Sequence, residues 1–428
     1  MYQQENIKRM FLPSISQRHL VTIMRLLVYS HDAYGLGNIR RMLTICQHLL
    51  DKIPEISILL LSGSPMLQGF RLPKGLDYIK LPCLNRGATG EVAVKYLGMG
   101  VEETVKLRSQ LILSAAINFQ PDLFLVDKKP YGVKRELADT INYFHQHLPQ
   151  TKLVLLLRDI LDSPEFTISE WTKNGYYTAI EKYYHQVLIV GIPEVFDTVK
   201  EYQFSPNIIQ NSYYCGYISH QSGLISPKKI RAELQISSQE KLILVTPGGG
   251  EDGYELVATY LDAIKLLDTT NIYKSLIIYG PEMPRIQQQL VIQAAANNPQ
   301  VKVKEFTDDL MSYIQAADAI VSMAGYNTIC EILVAKKPAV VVPRCHPSQE
   351  QLIRSQRMGK LGFFSAIHPD SFNAESLKSS LMDLSAPEIE LTMNGLDNIT
   401  DRIYLLLTQT SCERQFNHEK NHVLLPVP

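Results

Sequence analysis

The chain has 428 residues, 45% of them hydrophobic and 20% charged, with a formal net charge of -1. That length exceeds what one core usually holds and points to two domains. The near-neutral charge removes any global electrostatic case for nucleic acid or an anionic membrane surface, and no segment reaches the roughly 18 apolar residues of a membrane-spanning helix.

In chain order, residues 1–22 lack the continuous apolar stretch of a signal peptide and read as an extension before the first strand. Strand candidates MRLLVYS, ISILLLSGS, LDYIKLP, PDLFLVD, KLVLLLRD and QVLIVG follow, with helices expected near 37–51, 101–118 and 133–147. The stretch SPNIIQNSYYCGYISHQSG reads as a linker. From Leu242 onward LILVTP, SLIIYG, VKVKEF, AIVSMAG, PAVVVPR and LGFFSAI alternate with amphipathic segments such as GYELVATYLDAIKLL and TDDLMSYIQAAD. Short apolar strands alternating with helices indicate βαβ units and parallel sheets. The expected fold class is therefore α/β: two doubly wound, Rossmann-like domains over 23–213 and 214–410, facing each other across a cleft, with a flexible tail at 411–428. The scattered cysteines (Cys46, Cys83, Cys215, Cys330, Cys345, Cys412), with no C-x-x-C pair, read as free thiols in a reducing, cytoplasmic compartment.

Ligands of such sheets bind outside the carboxyl ends of the strands, and four loops at those positions stand out. After the first strand comes SHDAYGLGNIRRML, where Gly35 and Gly37 allow either an ordinary strand–helix turn or a helix N-terminus open to an anion. Arg40 replaces the third glycine of a dinucleotide fingerprint. Next is VTPGGGEDGYEL, in which the run Gly248, Gly249 and Gly250 implies close approach by a ligand or by another backbone segment. SMAGYNTICEIL follows, with Thr328-x-x-Glu331 in the spacing of a capping box. It reads as a bare helix cap, or as a phosphate site at the small pair Ala324 and Gly325 with Glu331 reaching a sugar diol. The last is VVVPRCHPSQEQLIRSQ, whose His346, Gln349, Glu350 and Gln351 serve either as helix caps or as partners for hydroxyls.

The order and spacing of PGGGEDG, EFTDDLMSYIQAADAIVSMAGYNTICEIL and VVVPRCHPSQEQLIRSQ resemble the nucleotide-sugar domain of GT-B glycosyltransferases. More narrowly, they resemble family 28, typified by the enzyme that adds N-acetylglucosamine to the lipid intermediate of peptidoglycan. SHDAYGLGNIRR, LVDKKPYG and LLLRDILDSP also resemble a group of predicted bacterial glycosyltransferases. The resemblance implies that Ala324, Gly325 and Thr328 line a diphosphate pocket and that Glu331 holds the ribose of a uridine nucleotide. It places Glu350 and Gln351 against the donor sugar, with His346 in the same loop, and Gly248, Gly249 and Gly250 near the phosphates and acceptor. Gly35, Gly37, Asn38 and Arg40 fall on the phosphate or acceptor side. Asn38 stands where related enzymes often carry a histidine, and a neutral amide cannot act as a base. His31, paired in sequence with Asp32, is the nearest substitute, either as base or as a structural pair.

The implied reaction is transfer of a hexose, N-acetylglucosamine being one candidate, from a UDP-sugar to a lipid-linked or envelope glycan. It would proceed with inversion and without a metal or other cofactor. Helix N-termini and fixed N–H groups can meet the charge of a departing diphosphate, and the chain has no Asp-x-Asp. Peripheral contact with the inner face of the membrane through GFRLPKGLDYIKLPCLNR is a further expectation, set against a solvated loop with a buried strand. Two other activities suit the same residues: a UDP-sugar 2-epimerase of the same fold, and a non-catalytic nucleotide-sugar-binding subunit.

Overall fold

In a computed structural model, residues 23–31, 37–70, 72–86, 91–218, 223–267, 272–387 and 391–422 are described, with side chains to residue 409. The first half contains β1 (Met24–Tyr29), β2 (Ile56–Ser62), β3 (Leu76–Lys80), β4 (Leu84–Arg86), β5 (Val92–Val94), β6 (Leu123–Asp127), β7 (Lys152–Arg158), β8 (Gln186–Val190) and β9 (Ser212–Tyr214). The second contains β10 (Lys241–Thr246), β11 (Tyr273–Ile278), β12 (Val301–Lys304), β13 (Ala319–Ser322), β14 (Ala339–Val341) and β15 (Ser365–Ala366).

The first sheet has the order β3-β2-β1-β6-β7-β8-β9 and the second the order β12-β11-β10-β13-β14-β15, every pairing being parallel. Strand direction in sequence reverses between β1 and β6 in one sheet and between β10 and β13 in the other, which creates a crevice at each point. Helices cover both faces, so the central strands are apolar on both sides. In β10, Leu242 and Leu244 pack into one cluster while Ile243 and Val245 pack into another.

Each strand candidate read from the sequence overlaps an observed strand, LGFFSAI only at Ser365–Ala366. Three other expectations need correction. The presumed linker contains a short helix, Pro206–Gln210, and β9, an edge strand of the first sheet; its three residues are too few to carry a readable alternation. The helix expected from 133 begins as a 3-10 turn, Val133–Arg135, with left-handed Lys134 and Arg135, and becomes α-helical at Ala138–His147. The helix Gly395–His422 runs past the expected end of the second domain and packs on the helix Gly37–Lys52 and on β6 and β7 of the first. Ile399, Ile403 and Leu407 supply its buried stripe, so by packing this segment belongs to the first domain.

Cys46, Cys83, Cys215 and Cys330 are buried free thiols, and Cys345 is half-buried. In the stretch expected to touch a membrane, Leu76, Leu81, Cys83 and Leu84 are buried. Among the described residues no helix is long and apolar enough to cross a membrane.

Candidate functional site

The two crevices face each other, and the chain ties them together. Asn327 donates from Nδ2 to the carbonyl of Gly37 at 3.1 Å, and Arg40 Nη2 reaches Glu331 Oε1 at 3.3 Å. The helices Gly37–Lys52 and Tyr326–Ala335 thus meet near their N-termini, where unpaired N–H groups and the positive ends of the helix dipoles favour an anion.

The capping-box expectation for Thr328 and Glu331 is not met. The helix starts at Tyr326 with Gly325 as its N-cap and no side-chain capping bond. Thr328 therefore lies in the first turn, buried, and Glu331 lies further along the helix. The turn after β13 is only three residues long, and Arg354 Nη1 anchors it by donating to the Ala324 carbonyl at 3.0 Å. A Cβ built on Gly325 would meet nothing within 4 Å, so this N-terminus opens onto space. Glu331 is 1% exposed. One of its oxygens takes Arg40, while the other, Oε2, is buried without a partner. Burial raises its pKa above the usual carboxylate value, against the lowering pull of Arg40. An orphaned acceptor of this kind is costly unless something donates to it.

The glycine run plays two roles. A Cβ on Gly250, where φ is +94°, would collide with the Tyr279 carbonyl oxygen, so another backbone segment makes that close approach. Gly248, at φ +87°, meets nothing within 4 Å and faces open space. This loop is adjacent to the one after β13, because Ser322 Oγ donates to the Thr246 carbonyl at 2.6 Å. The loop after β14 joins them through Arg344 and Asp252, 3.2 Å apart.

Glu350 lies between the domains. Arg158 of the first domain pairs with its Oε1, and Arg354, one helical turn along, reaches the same oxygen at 2.9 Å. Burial opposes its ionisation, yet Arg158, Arg354 and Lys128 hold the carboxyl down at about 2. Arg354 is 0% exposed and also lies 3.9 Å from Asp159, which accepts a hydrogen bond from Tyr217. Gln351 Oε1 accepts from the Arg344 backbone at 3.3 Å, and His346 is exposed. Sequence reading missed Arg158 and Arg354. The Glu350–Arg354 spacing of four was the available signal for the latter.

On the first-domain wall, Asp127 at the end of β6 binds Arg41 Nη2 at 2.7 Å and accepts from the His31 backbone N at 3.2 Å. Asn38 donates to the His31 carbonyl at 2.7 Å, so its amide shapes the loop. His31 is 6% exposed, and burial, with Lys128, Lys129, Arg108 and Arg158 around it, holds its pKa well below the usual histidine value. Gly35 and Asp32 lie outside the described residues.

Residues 242–403 match the family model described as the glycosyltransferase family 28 C-terminal domain. Among curated proteins, the UDP-N-acetylglucosamine--N-acetylmuramyl-(pentapeptide) pyrophosphoryl-undecaprenol N-acetylglucosamine transferase of Glaesserella parasuis is 28% identical over 149 residues, covering 35% of this chain and 41% of that protein. The namesake from Alkaliphilus oremlandii is 24% identical over 43% of this chain and 52% of its own length. The chain thus matches about half, or less, of the length of these relatives. Among solved structures, MurG of Acinetobacter baumannii superposes with a TM-score of 0.53 at 14% identity, covering 90% of this chain and 99% of that one. A putative UDP-N-acetylglucosamine 2-epimerase from Listeria monocytogenes superposes with a TM-score of 0.58 at 12% identity, covering 84% and 87%. With two parallel-sheet domains meeting at their switch points, the chain has the two-domain fold of the GT-B glycosyltransferases, and its residues 242–403 match the family 28 C-terminal domain.

Proposed function

We propose that the chain transfers a hexose from a UDP-sugar to a hydroxyl of a lipid-linked or envelope glycan, with inversion and without a metal. The observation that carries this reading is the pairing of an open helix N-terminus at Gly325 with the buried, half-satisfied carboxylate of Glu331 on the same helix. The N-terminus suits a diphosphate, and the orphaned Oε2 suits the hydroxyl donors of a ribose. N-acetylglucosamine is the sugar suggested by the curated relatives' names.

In this reading, negative charge developing on the departing diphosphate is met by the N–H groups of residues 325–328 and by the helix dipole. Gly248 leaves room beside it. Asn38 is engaged with the His31 carbonyl, and His31 is the candidate for taking the acceptor proton. Its neutral state fits a base, while its lowered proton affinity makes it a weak one until nearby positive charge is compensated. The acceptor would approach from the first domain, at the inner face of the membrane if it is lipid-linked.

A thermal-shift and calorimetric panel of UDP, UDP-sugars, GDP- and dTDP-sugars and NAD(H) tests the donor assignment. Uridine nucleotides are expected to raise the melting temperature of the wild type by mass action. They should lose about tenfold or more in affinity with Glu331→Gln, an isosteric change that keeps the protein folded. An unaltered UDP affinity in that variant removes the ribose role. Incubating UDP-N-acetylglucosamine without an acceptor separates the activities, since appearance of the 2-epimer would replace transfer by epimerisation.

A further inference from the structure

Among the described residues, the cations around the carboxyl ends of β1, β6 and β7 outnumber the carboxylates paired with them. Arg41 is held by Asp127 at 2.7 Å, Lys129 by Glu170 at 2.6 Å and Arg40 by Glu331 at 3.3 Å. Arg158 and Arg354 share Glu350, with Asp159 behind Arg354. Among the described residues, Lys128 alone of this group has no carboxylate within ion-pair distance, Glu350 and Asp127 acting on it only from further off. Among the described residues its ammonium makes neither a hydrogen bond nor an ion pair.

Its placement is imposed. Lys128 is left-handed, with φ at 70°, a conformation that side-chain-bearing residues rarely adopt outside functional or over-determined sites. Two backbone bonds hold it there: its N–H donates to the Leu156 carbonyl at 2.9 Å, and the Lys129 N–H donates back to the Asp127 carbonyl at 2.9 Å. This turn sits beside the switch point between β1 and β6. Burial, with Arg158 and Lys129 close by, outweighs the opposing pull of Glu350 and Asp127 and pushes the ammonium down to about 8. Two buried atoms beside Asp127 lack partners, His31 Nδ1 and Arg41 Nε.

We propose that Lys128, with Arg158 at its side, forms an anion subsite on the first-domain wall of the cleft, built for a phosphate-type group of the acceptor. The inference rests on reading the cleft as a sugar-transfer site. The donor's features, Gly325 and Glu331, belong to the opposite domain, which leaves the first-domain wall to the acceptor. The other source of the same chemistry is the donor's diphosphate. A lysine with no carboxylate in direct contact, flanked by cations that have theirs, gains charge-assisted hydrogen bonds when such an anion arrives.

The test uses the full chain as wild type, Lys128→Met and Lys128→Arg, with inorganic phosphate, pyrophosphate and UDP as separate calorimetric probes. We expect phosphate or pyrophosphate to bind the wild type and to weaken about tenfold in Lys128→Met. Lys128→Arg should retain binding, and UDP affinity should stay unchanged in both variants. Loss of UDP binding together with phosphate would keep the anion subsite and assign it to the donor's diphosphate instead. Equal binding of all three probes by wild type and Lys128→Met, or no phosphate or pyrophosphate binding by the wild type, overturns the proposal. Failure of UDP to bind the wild type while phosphate binds through Lys128 would overturn the nucleotide-sugar reading and leave the subsite standing.

Discussion

Glu350 and Lys128 are the two ends of one electrostatic balance, and pH reaches them from opposite sides. The Glu350 carboxyl, held at about 2 in the fold, would titrate near 4.3 in an unfolded chain. Its contribution to stability is therefore complete above about 4.3 and is lost as pH falls toward 2, roughly 3 kcal/mol in all. Urea unfolding between pH 6 and pH 3 should show a steeper loss for the wild type than for Glu350→Gln. At neutral pH that variant strands two buried arginines and should be weaker by about 3–5 kcal/mol. Lys128 works in the other direction. Its folded pKa of about 8 lies below the unfolded value, so the charged form destabilises the fold fully below pH 8, and the effect is relieved as pH rises toward about 10.4. Lys128→Met should accordingly be more stable than the wild type at pH 7, by up to about 3 kcal/mol, and the difference should fade by about pH 10. A stabilising substitution at a strained position is the pattern expected where function holds a residue against stability. These charges were the least legible part of the sequence. Glu331, Gly325 and Glu350 stand out from loop position and motif. Arg158 looks like the polar end of a strand, and the unpaired state of Lys128 depends on partners up to hundreds of positions away.

At the scale of elements, glycines separate folding from binding. Gly325 has an ordinary φ of -64° and open space where a Cβ would go. Gly325→Ala should thus change stability by no more than about 1 kcal/mol while placing a methyl group in the path of a diphosphate. UDP affinity should fall and the melting temperature should hold; the reverse pattern would make Gly325 a folding residue only. Gly250→Ala should do the opposite. The left-handed φ and the collision with Tyr279 together should cost about 3 kcal/mol or more, and the protein should fold poorly whatever ligand is added. The run Gly248, Gly249 and Gly250 was readable as a place of close approach, but which glycine meets a backbone and which meets space was not. Strands were readable because parallel strands buried on both faces carry unbroken aliphatic runs. The start of the helix Tyr326–Ala335 was misread because Thr328-x-x-Glu331 matches a cap equally well three residues later. The turn before the observed start is held by Arg354 donating to the Ala324 carbonyl, a contact with no local signature.

For the whole molecule, the two domains share more than a cleft. One apolar cluster runs from Leu26 and Val126 through Leu244 and Ile320 to Ile399, Ile403 and Leu407. Polar ties cross the same boundary: Arg40 to Glu331, Asn327 to Gly37, Arg158 to Glu350, and Arg357 to Glu201 at 2.9 Å. The exposed pairs in that set contribute little. The returning helix Gly395–His422 contributes the most direct coupling, because it leaves the second domain and buries its apolar stripe on the first. Ile403 is 0% exposed there, and Ile403→Ala should cost about 2–5 kcal/mol through lost burial and the cavity left behind. If the shared cluster couples the domains, calorimetry should show one transition in the wild type and one transition, shifted down as a whole, in the variant. Two separating transitions, with only the first domain's melting early, would mean that the helix merely rests on that domain. In that case the alignment of Gly325 with Gly37 would depend on the polar ties alone, and raising the salt concentration should then open the cleft. A single shifted transition instead makes the packing of this helix what keeps the two switch points facing each other.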